Sequence, residues 1–334
     1  MLRKKLKLID PSDQEAGDNT AHPPEFSLST FINEPKVKLP STFSPVPPTL
    51  TSPHFAINTA AVAHPYHLIS PTDVQPVVNV AQPQESVPLW SRVYQLEQEL
   101  CQALLQIPLP SDVAATYNPI EYAAELHLAY MQRFLTGHKP VLFLGMNPGP
   151  WGMCQTGVPF GYVPAVRDWM QLRGEVLKPI GELAIRPVDG LQCTRGEQSG
   201  QRWWGLYQEL CGTPENFFRN CFVFNICPLA FFHSSGRNIT PAEFKGTAKS
   251  RVQDVGSEYL LRALHLFGPT VIVSIGRYCE DRVKVLVRQN LLDQTRVKLL
   301  CMPHPSPRSL NNTNWAEKAR QWLVDNGVMP YLMP

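Results

Sequence analysis

The chain has 334 residues, with 30 Lys and Arg against 28 Asp and Glu, and 33 prolines, about twice the usual share of roughly 5%. No run of about 18 apolar residues occurs, so neither a transmembrane helix nor a membrane partner is expected. The eight cysteines form no CxxC pair and mostly sit in apolar runs, which argues against a zinc or iron–sulfur framework and a disulfide scaffold, and for buried, reduced thiols with no cofactor or metal.

Residues 1–90 hold 14 of the prolines and a single glycine, Gly17, without a long periodic apolar pattern. The expectation is a disordered, Pro-rich N-terminal arm over 1–88 and one packed domain over 89–334. The arm begins with Arg3, Lys4, Lys5 and Lys7 and no apolar core follows, so a secretory signal is not expected. The basic run reads as a nuclear address or as a solvated charge run. Apolar residues at helical spacing predict a first helix over Leu89–Ile107. Asn118-Pro119 supplies a cap and first turn for a second helix reaching about Leu135. Four short apolar runs follow: Pro140–Met146, Cys221–Ile226, Thr270–Ile275 and Val297–Met302. Near-continuous apolar character, rather than alternation, fits strands covered on both faces. Helical patterns lie between and after them, at Gly200–Cys211, Pro241–Phe267, Tyr278–Leu291 and Trp315–Asn326. The fold class is therefore α/β, a three-layer α/β/α domain around a central four-stranded, mainly parallel sheet with right-handed crossovers.

Ligands of open α/β sheets bind beyond the carboxyl ends of the strands. After the first predicted strand comes Asn147-Pro148-Gly149-Pro150, at the end of the second Asn225 and then Cys227-Pro228, after the third Gly276-Arg277, and after the fourth His304-Pro305-Ser306-Pro307-Arg308. Singly these residues have bland readings. Asn147 can start a turn, Asn225 can cap a strand, His304 can be a loop histidine and Phe160 can be core. Together, at adjacent strand ends, two asparagines and a histidine point to one pocket.

The stretch Gly145-Met146-Asn147-Pro148-Gly149-Pro150-Trp151-Gly152-Met153 and the following Gln155-Thr156-Gly157-Val158-Pro159-Phe160-Gly161 closely resemble the first motif of the single-strand-selective monofunctional uracil-DNA glycosylases. His304-Pro305-Ser306-Pro307-Arg308 resembles their second motif, and Val166–Trp169, Arg202–Gly205, Asn225–Leu229 and Ser235–Asn238 also look like segments of that family. The resemblance runs from about Asn118 to the C-terminus. It implies a uracil-DNA glycosylase-like fold and hydrolytic excision of uracil and 5-substituted uracils, such as 5-hydroxymethyluracil, from single- and double-stranded DNA. An abasic site would remain for base excision repair in the nucleus, with the enzyme a monomer. Phe160 would stack on the flipped base, beside Met146. Asn225 would pair with O4 and N3–H of uracil and reject cytosine, whose polarity is reversed. His304 would donate to O2 as negative charge builds on the leaving base. Asn147, standing where the archetypal uracil-DNA glycosylases carry aspartate, would place the attacking water rather than act as general base. Gly149, where those enzymes carry tyrosine, would leave room beside C5. Neither motif contains a lysine, so no Schiff-base lyase step is expected. Arg308 is the expected wedge into duplex DNA, in a loop with Ser306, Ser309 and Asn311 that is one residue shorter than in other members. Arg237 and Arg277 are expected phosphate contacts. The rival readings are a mismatch-specific uracil or thymine glycosylase of the same superfamily and a non-catalytic DNA-binding α/β protein.

Overall fold

The four apolar runs singled out in the sequence become the strands of one sheet, and helices cover it. The computed structural model describes residues 87–309 and 312–333, all within the compact unit Val78–Pro334. The arm expected over 1–88, but for its last two residues, and the loop residue Asn311 lie outside the described residues. In chain order the elements are α1 (Leu89–Leu105), β1 (Ala115–Tyr117), α2 (Pro119–Tyr122), α3 (Ala124–Phe134), β2 (Val141–Gly145), α4 (Met153–Thr156), α5 (Gln198–Cys211), α6 (Pro214–Asn220), β3 (Cys221–Asn225), β4 (Ala230–Phe232), β5 (Asn238–Ile239), α7 (Gly246–Phe267), β6 (Val271–Ile275), α8 (Arg277–Arg288), β7 (Lys298–Met302) and α9 (Trp315–Asp325).

The four predicted strands form a four-stranded parallel sheet in the order β3-β2-β6-β7. Every residue of β2, β3 and β6 is buried, as continuous apolar runs require when both faces are covered. β7 is the more open edge and starts with an exposed lysine, Lys298, of the kind that blunts an edge strand. The chain leaves β2 toward β3, then crosses back past β2 to β6. The reversal places a crevice at the carboxyl ends of the two central strands.

Three differences from the sequence reading have local causes. A second sheet, β1-β4-β5, is antiparallel and was not expected. Its strands have only two or three residues, too few for a periodic signal. The single helix expected from Asn118 to about Leu135 is two, broken at Ala123 (φ −108°, ψ 30°), where the turn at Gly157 packs against the Ala123 carbonyl. α7 starts at Gly246 rather than Pro241. Gly246 has φ +55°, and Glu243 is drawn back to the Thr240 N–H at 2.8 Å, so residues 240–245 form a separate turn.

The core is heavily aromatic on the α5 side. Trp203, Trp204, Tyr207 and Phe217 are fully buried, with Phe143 of β2 packed edge-on to Trp203 at 5.2 Å. Among the described residues no helix is long and apolar enough to cross a membrane.

Candidate active site

A cavity of about 790 Å³ lies at the carboxyl ends of β2, β3 and β7. It is lined by Met146, Asn147, Gly149, Phe160, Asn225, His304, Ser306, Arg308 and Arg237 from the sequence reading. Arg277 and Ser309 are exposed and lie outside it, Arg277 as the first residue of α8.

Gly145 and Asn225 are register partners across β2 and β3. A Cβ on Gly145 would collide with the Asn225 Oδ1, so only glycine admits this asparagine. Asn225 is buried, and its Nδ2 donates to the Met153 Sδ at 3.1 Å. A thioether accepts and cannot donate, so this contact selects the amide orientation in which Nδ2 faces the sulfur. The Oδ1 is left without a hydrogen-bond partner among the described residues. Asn147 is half-buried, its Nδ2 3.5 Å from the Leu229 carbonyl on the segment after β3.

His304 is held in one tautomer. Its Nδ1 accepts the Ser306 N–H at 3.0 Å, so the neutral ring carries its proton on Nε2. Burial pushes the imidazole pKa down to about 4, and the ring is neutral at physiological pH. The loop around it is fastened from several sides. Asn312 Nδ2 donates to the His304 and Ser306 carbonyls at 2.9 and 2.7 Å. Arg202 of α5 reaches the Pro305 and Asn312 carbonyls at 3.2 and 3.0 Å, and the Trp315 indole donates to the Pro303 carbonyl at 2.9 Å. Gly276, after β6, makes room: a Cβ there would stand 3.4 Å from that of His304.

Phe160 has φ +54°, in the left-handed region that non-glycine residues seldom enter, at a cost of roughly 1–2 kcal/mol. Its ring stacks on Trp203 at 4.9 Å and 17° and lies 5.9 Å from the His304 ring. Its carbonyl presses on Gly200 of α5, where a Cβ would collide. The strained residue is thus held between α5 and the turn of residues 157–161.

Sequence reasoning missed Glu197, which forms the wall behind Gly149 and Gly152. Its carboxylate caps α5, accepting the Ser199 and Gly200 N–H groups at 3.2 and 3.0 Å, while burial pushes its pKa above the ordinary carboxylate value. A Cβ on Gly152 would meet its Cγ at 2.7 Å, whereas one on Gly149 would stand 3.5 Å from its Cδ. Gly152 therefore has to be glycine, whereas a Cβ at Gly149 would rest against Glu197 in ordinary van der Waals contact. The work of Asn312 and Arg202 is on backbone carbonyls, which no motif displays.

Comparison with known proteins gives the family. Residues 133–325 match the model of the uracil DNA glycosylase superfamily. The chain is 46% identical over 230 residues to a Mus musculus protein named single-strand selective monofunctional uracil DNA glycosylase, covering 69% of this chain and 81% of that one. A Bos taurus protein of the same name is 43% identical over 273 residues, covering 81% of this chain and 99% of that one. The solved structure of wild-type Pedobacter heparinus SMUG2 aligns with a TM-score of 0.53 at 18% identity, over 72% of this chain and all of that one, a likeness of fold. A pocket built from two asparagines, a histidine and a strained phenylalanine at the strand ends, together with these matches, makes the chain a member of the uracil DNA glycosylase superfamily.

Proposed function

We propose that the chain is a monofunctional DNA glycosylase that hydrolyses the N-glycosidic bond of uracil and of 5-substituted uracils, including 5-hydroxymethyluracil, in single- and double-stranded DNA. The observation that carries this reading is the convergence of Asn147, Phe160, Asn225 and a neutral His304 on one cavity. Such a cavity takes a base swung out of the helix or met in a single strand. Phe160, backed by Trp203, offers a face for stacking. Asn225 keeps an unpaired Oδ1 and the second hydrogen of its oriented Nδ2 for N3–H and O4 of uracil. Cytosine would set donor against donor and acceptor against acceptor there, and buried mismatches of that kind discriminate strongly.

As the bond breaks, positive charge grows on the sugar and negative charge on the base. The Nε2–H of His304 is the donor suited to O2, and because the ring is already neutral it needs no proton change before the reaction. Asn147 cannot take a proton at neutral pH and serves to hold the water that captures the sugar cation. Gly149 lines the cavity without a side chain of its own, and a 5-substituent fits beside it. Arg308, exposed on the rim, is the wedge toward duplex DNA, with Ser306 lining the entry. Asn311 and Ser309 would extend that contact, and Arg237 and Arg277 would meet phosphates. The enzyme acts as a monomer in the nucleus, with residues 89–334 as its catalytic domain.

The test is excision from uracil-containing oligonucleotides, single- and double-stranded, scored by alkaline cleavage of abasic sites. Wild type cleaves both and leaves no borohydride-trapped adduct. No cleavage at any salt concentration removes the enzyme reading. Gly149→Tyr is expected to suppress 5-hydroxymethyluracil far more than uracil, and equal loss on both counts against the space at Gly149.

A further inference from the structure

We propose that Trp151, with the two arginines stacked on it, Arg186 and Arg195, forms a binding site for a backbone phosphate of the substrate strand beside the nucleotide in the pocket. The proposal rests on the DNA glycosylase reading for the identity of its strand. Trp151 directly follows the Gly149-Pro150 turn, and both it and Arg186 line the cavity. The Arg195 guanidinium carbon lies 4.4 Å from the centroid of the Trp151 ring and that of Arg186 lies 5.1 Å from it. Two cations are therefore held on one ring at the edge of the pocket.

Neither has a carboxylate within salt-bridge distance among the described residues. The contrast with other arginines is plain. Arg133, Arg167, Arg237, Arg262 and Arg320 each have an acidic partner at 2.5 to 2.8 Å. Glu197, two residues beyond Arg195, directs its oxygens to the Ser199 and Gly200 N–H groups instead. Like charges gathered without an anion raise the energy of the empty site and lower that of the occupied one. Burial and the neighbouring Arg195 both push the Arg186 guanidinium below its ordinary pKa, the same repulsion seen from the other side.

The site is also preorganised. Arg186 Nε donates to the Gly236 carbonyl at 2.5 Å and its Nη1 to the Ile185 carbonyl at 3.3 Å. The Tyr117 hydroxyl donates to the Arg186 carbonyl at 2.8 Å, and a Cβ on Gly236 would stand 3.3 Å from Arg186 Nε, so the side chain is fixed by the fold. Its Nη2 is left for a ligand. Arg195 is exposed, and its guanidinium makes no hydrogen bond among the described residues. A guanidinium offers paired N–H donors to two phosphate oxygens at once, and two such groups on one platform suit a doubly contacted phosphate. With both guanidinium groups on it, the Trp151 ring serves as their support rather than as a face for a base.

The experiment compares wild type with Arg195→Gln on a single-stranded oligonucleotide carrying one uracil, across a NaCl series. KM at low salt should rise roughly tenfold, as loss of a charge-assisted contact does. The slope of log KM against log[NaCl] should fall by about 0.7, the value for one phosphate released from a single strand. kcat should stay within about twofold. Oligonucleotides with one methylphosphonate, placed in turn at each linkage flanking the uracil, should include one position that weakens wild type and does not weaken Arg195→Gln further. An unchanged salt slope overturns the proposal, as does a methylphosphonate series in which the losses always add. Binding of the same oligonucleotide, followed by fluorescence anisotropy, keeps the two readings apart. Wild type that binds with the predicted slope difference but excises nothing overturns the activity and retains the phosphate site.

Discussion

His304 and Asn225 are each restricted by a neighbour that leaves them one way to meet a substrate. For His304 the neighbour is its own loop: the Ser306 N–H occupies Nδ1, and burial brings the pKa down to about 4. Between pH 8 and 5 the ring does not titrate, so kcat for excision should be flat with respect to this group and fall only as pH approaches 4. A kinetic pKa near 6.5 that disappears in His304→Asn would show the ring to be unperturbed. The same depression gives a stability effect of defined sign. The unfolded chain takes up a proton at His304 below about 6.5 while the native chain does not, so this residue's contribution to stability is lost as pH falls from there toward 4. For Asn225 the neighbour is Gly145. Gly145→Ala should abolish uracil excision, because the new methyl displaces the amide oxygen, while the far-UV circular dichroism stays native. Retained excision would disprove the assignment. The sequence displays Asn147, Asn225 and His304, since polar residues at the ends of apolar strands stand out. It cannot display why Gly145 is needed, because that follows from a register pairing between segments 80 residues apart in the chain.

At the scale of elements, the pocket depends on how α1, α3 and α5 hold the turn that ends in Phe160. Glu97 of α1 and His127 of α3 form a buried pair at 2.7 Å, and the other nitrogen of His127 meets the Gly157 carbonyl at 2.7 Å. Burial lowers the His127 pKa, but the Glu97 carboxylate and the Gly157 carbonyl outweigh it, and the net shift is upward. The sign is therefore opposite to that of His304. The stabilisation is complete below the ordinary histidine value of about 6.5 and is lost as pH rises through the higher folded-state value. His127→Gln should lower Tm most at pH 6 and least at alkaline pH; a difference that grows with pH would contradict the pairing. Glu97→Ala, which leaves a buried imidazolium without its partner, should cost about 3 kcal/mol by denaturant unfolding. Glu197 supports the same region from α5, and Glu197→Ala should cost about 1 kcal/mol as a lost N-cap. The long helices and the four parallel strands were readable from periodicity. The β1-β4-β5 sheet and the break at Ala123 were not, because they arise from tertiary approach: two- and three-residue strands, and a glycine turn packed against a helix.

Across the whole molecule, the prolines and the cysteines have different parts to play. Several of the later prolines flank the site, and Pro148, Pro159, Pro228 and Pro305 are buried there, where fixed torsions hold polar side chains before a substrate arrives. The eight cysteines are all free thiols; seven are buried and Cys301 is partly exposed. Burial is the leading cause that pushes the thiols of Cys211 and Cys301 up to about 11 and that of Cys227 up to about 12. Since the thiolate is the reactive species, a pKa four units above neutrality leaves roughly one molecule in ten thousand ionised at pH 7. A thiol reagent such as 5,5′-dithiobis(2-nitrobenzoate) should therefore react slowly with the native protein and reach Cys301 first. All eight should react at once in denaturant, and the buried thiols should follow the rate of unfolding. Cys154 and Cys227 lie just beyond β2 and β3, so their protection reports on the segments that carry Asn147 and Asn225. Oligonucleotide bound in the pocket should slow their labelling and leave Cys301 unchanged. Rapid labelling of two or more thiols in the native state would mean that the core around the site opens far more readily than its packing allows.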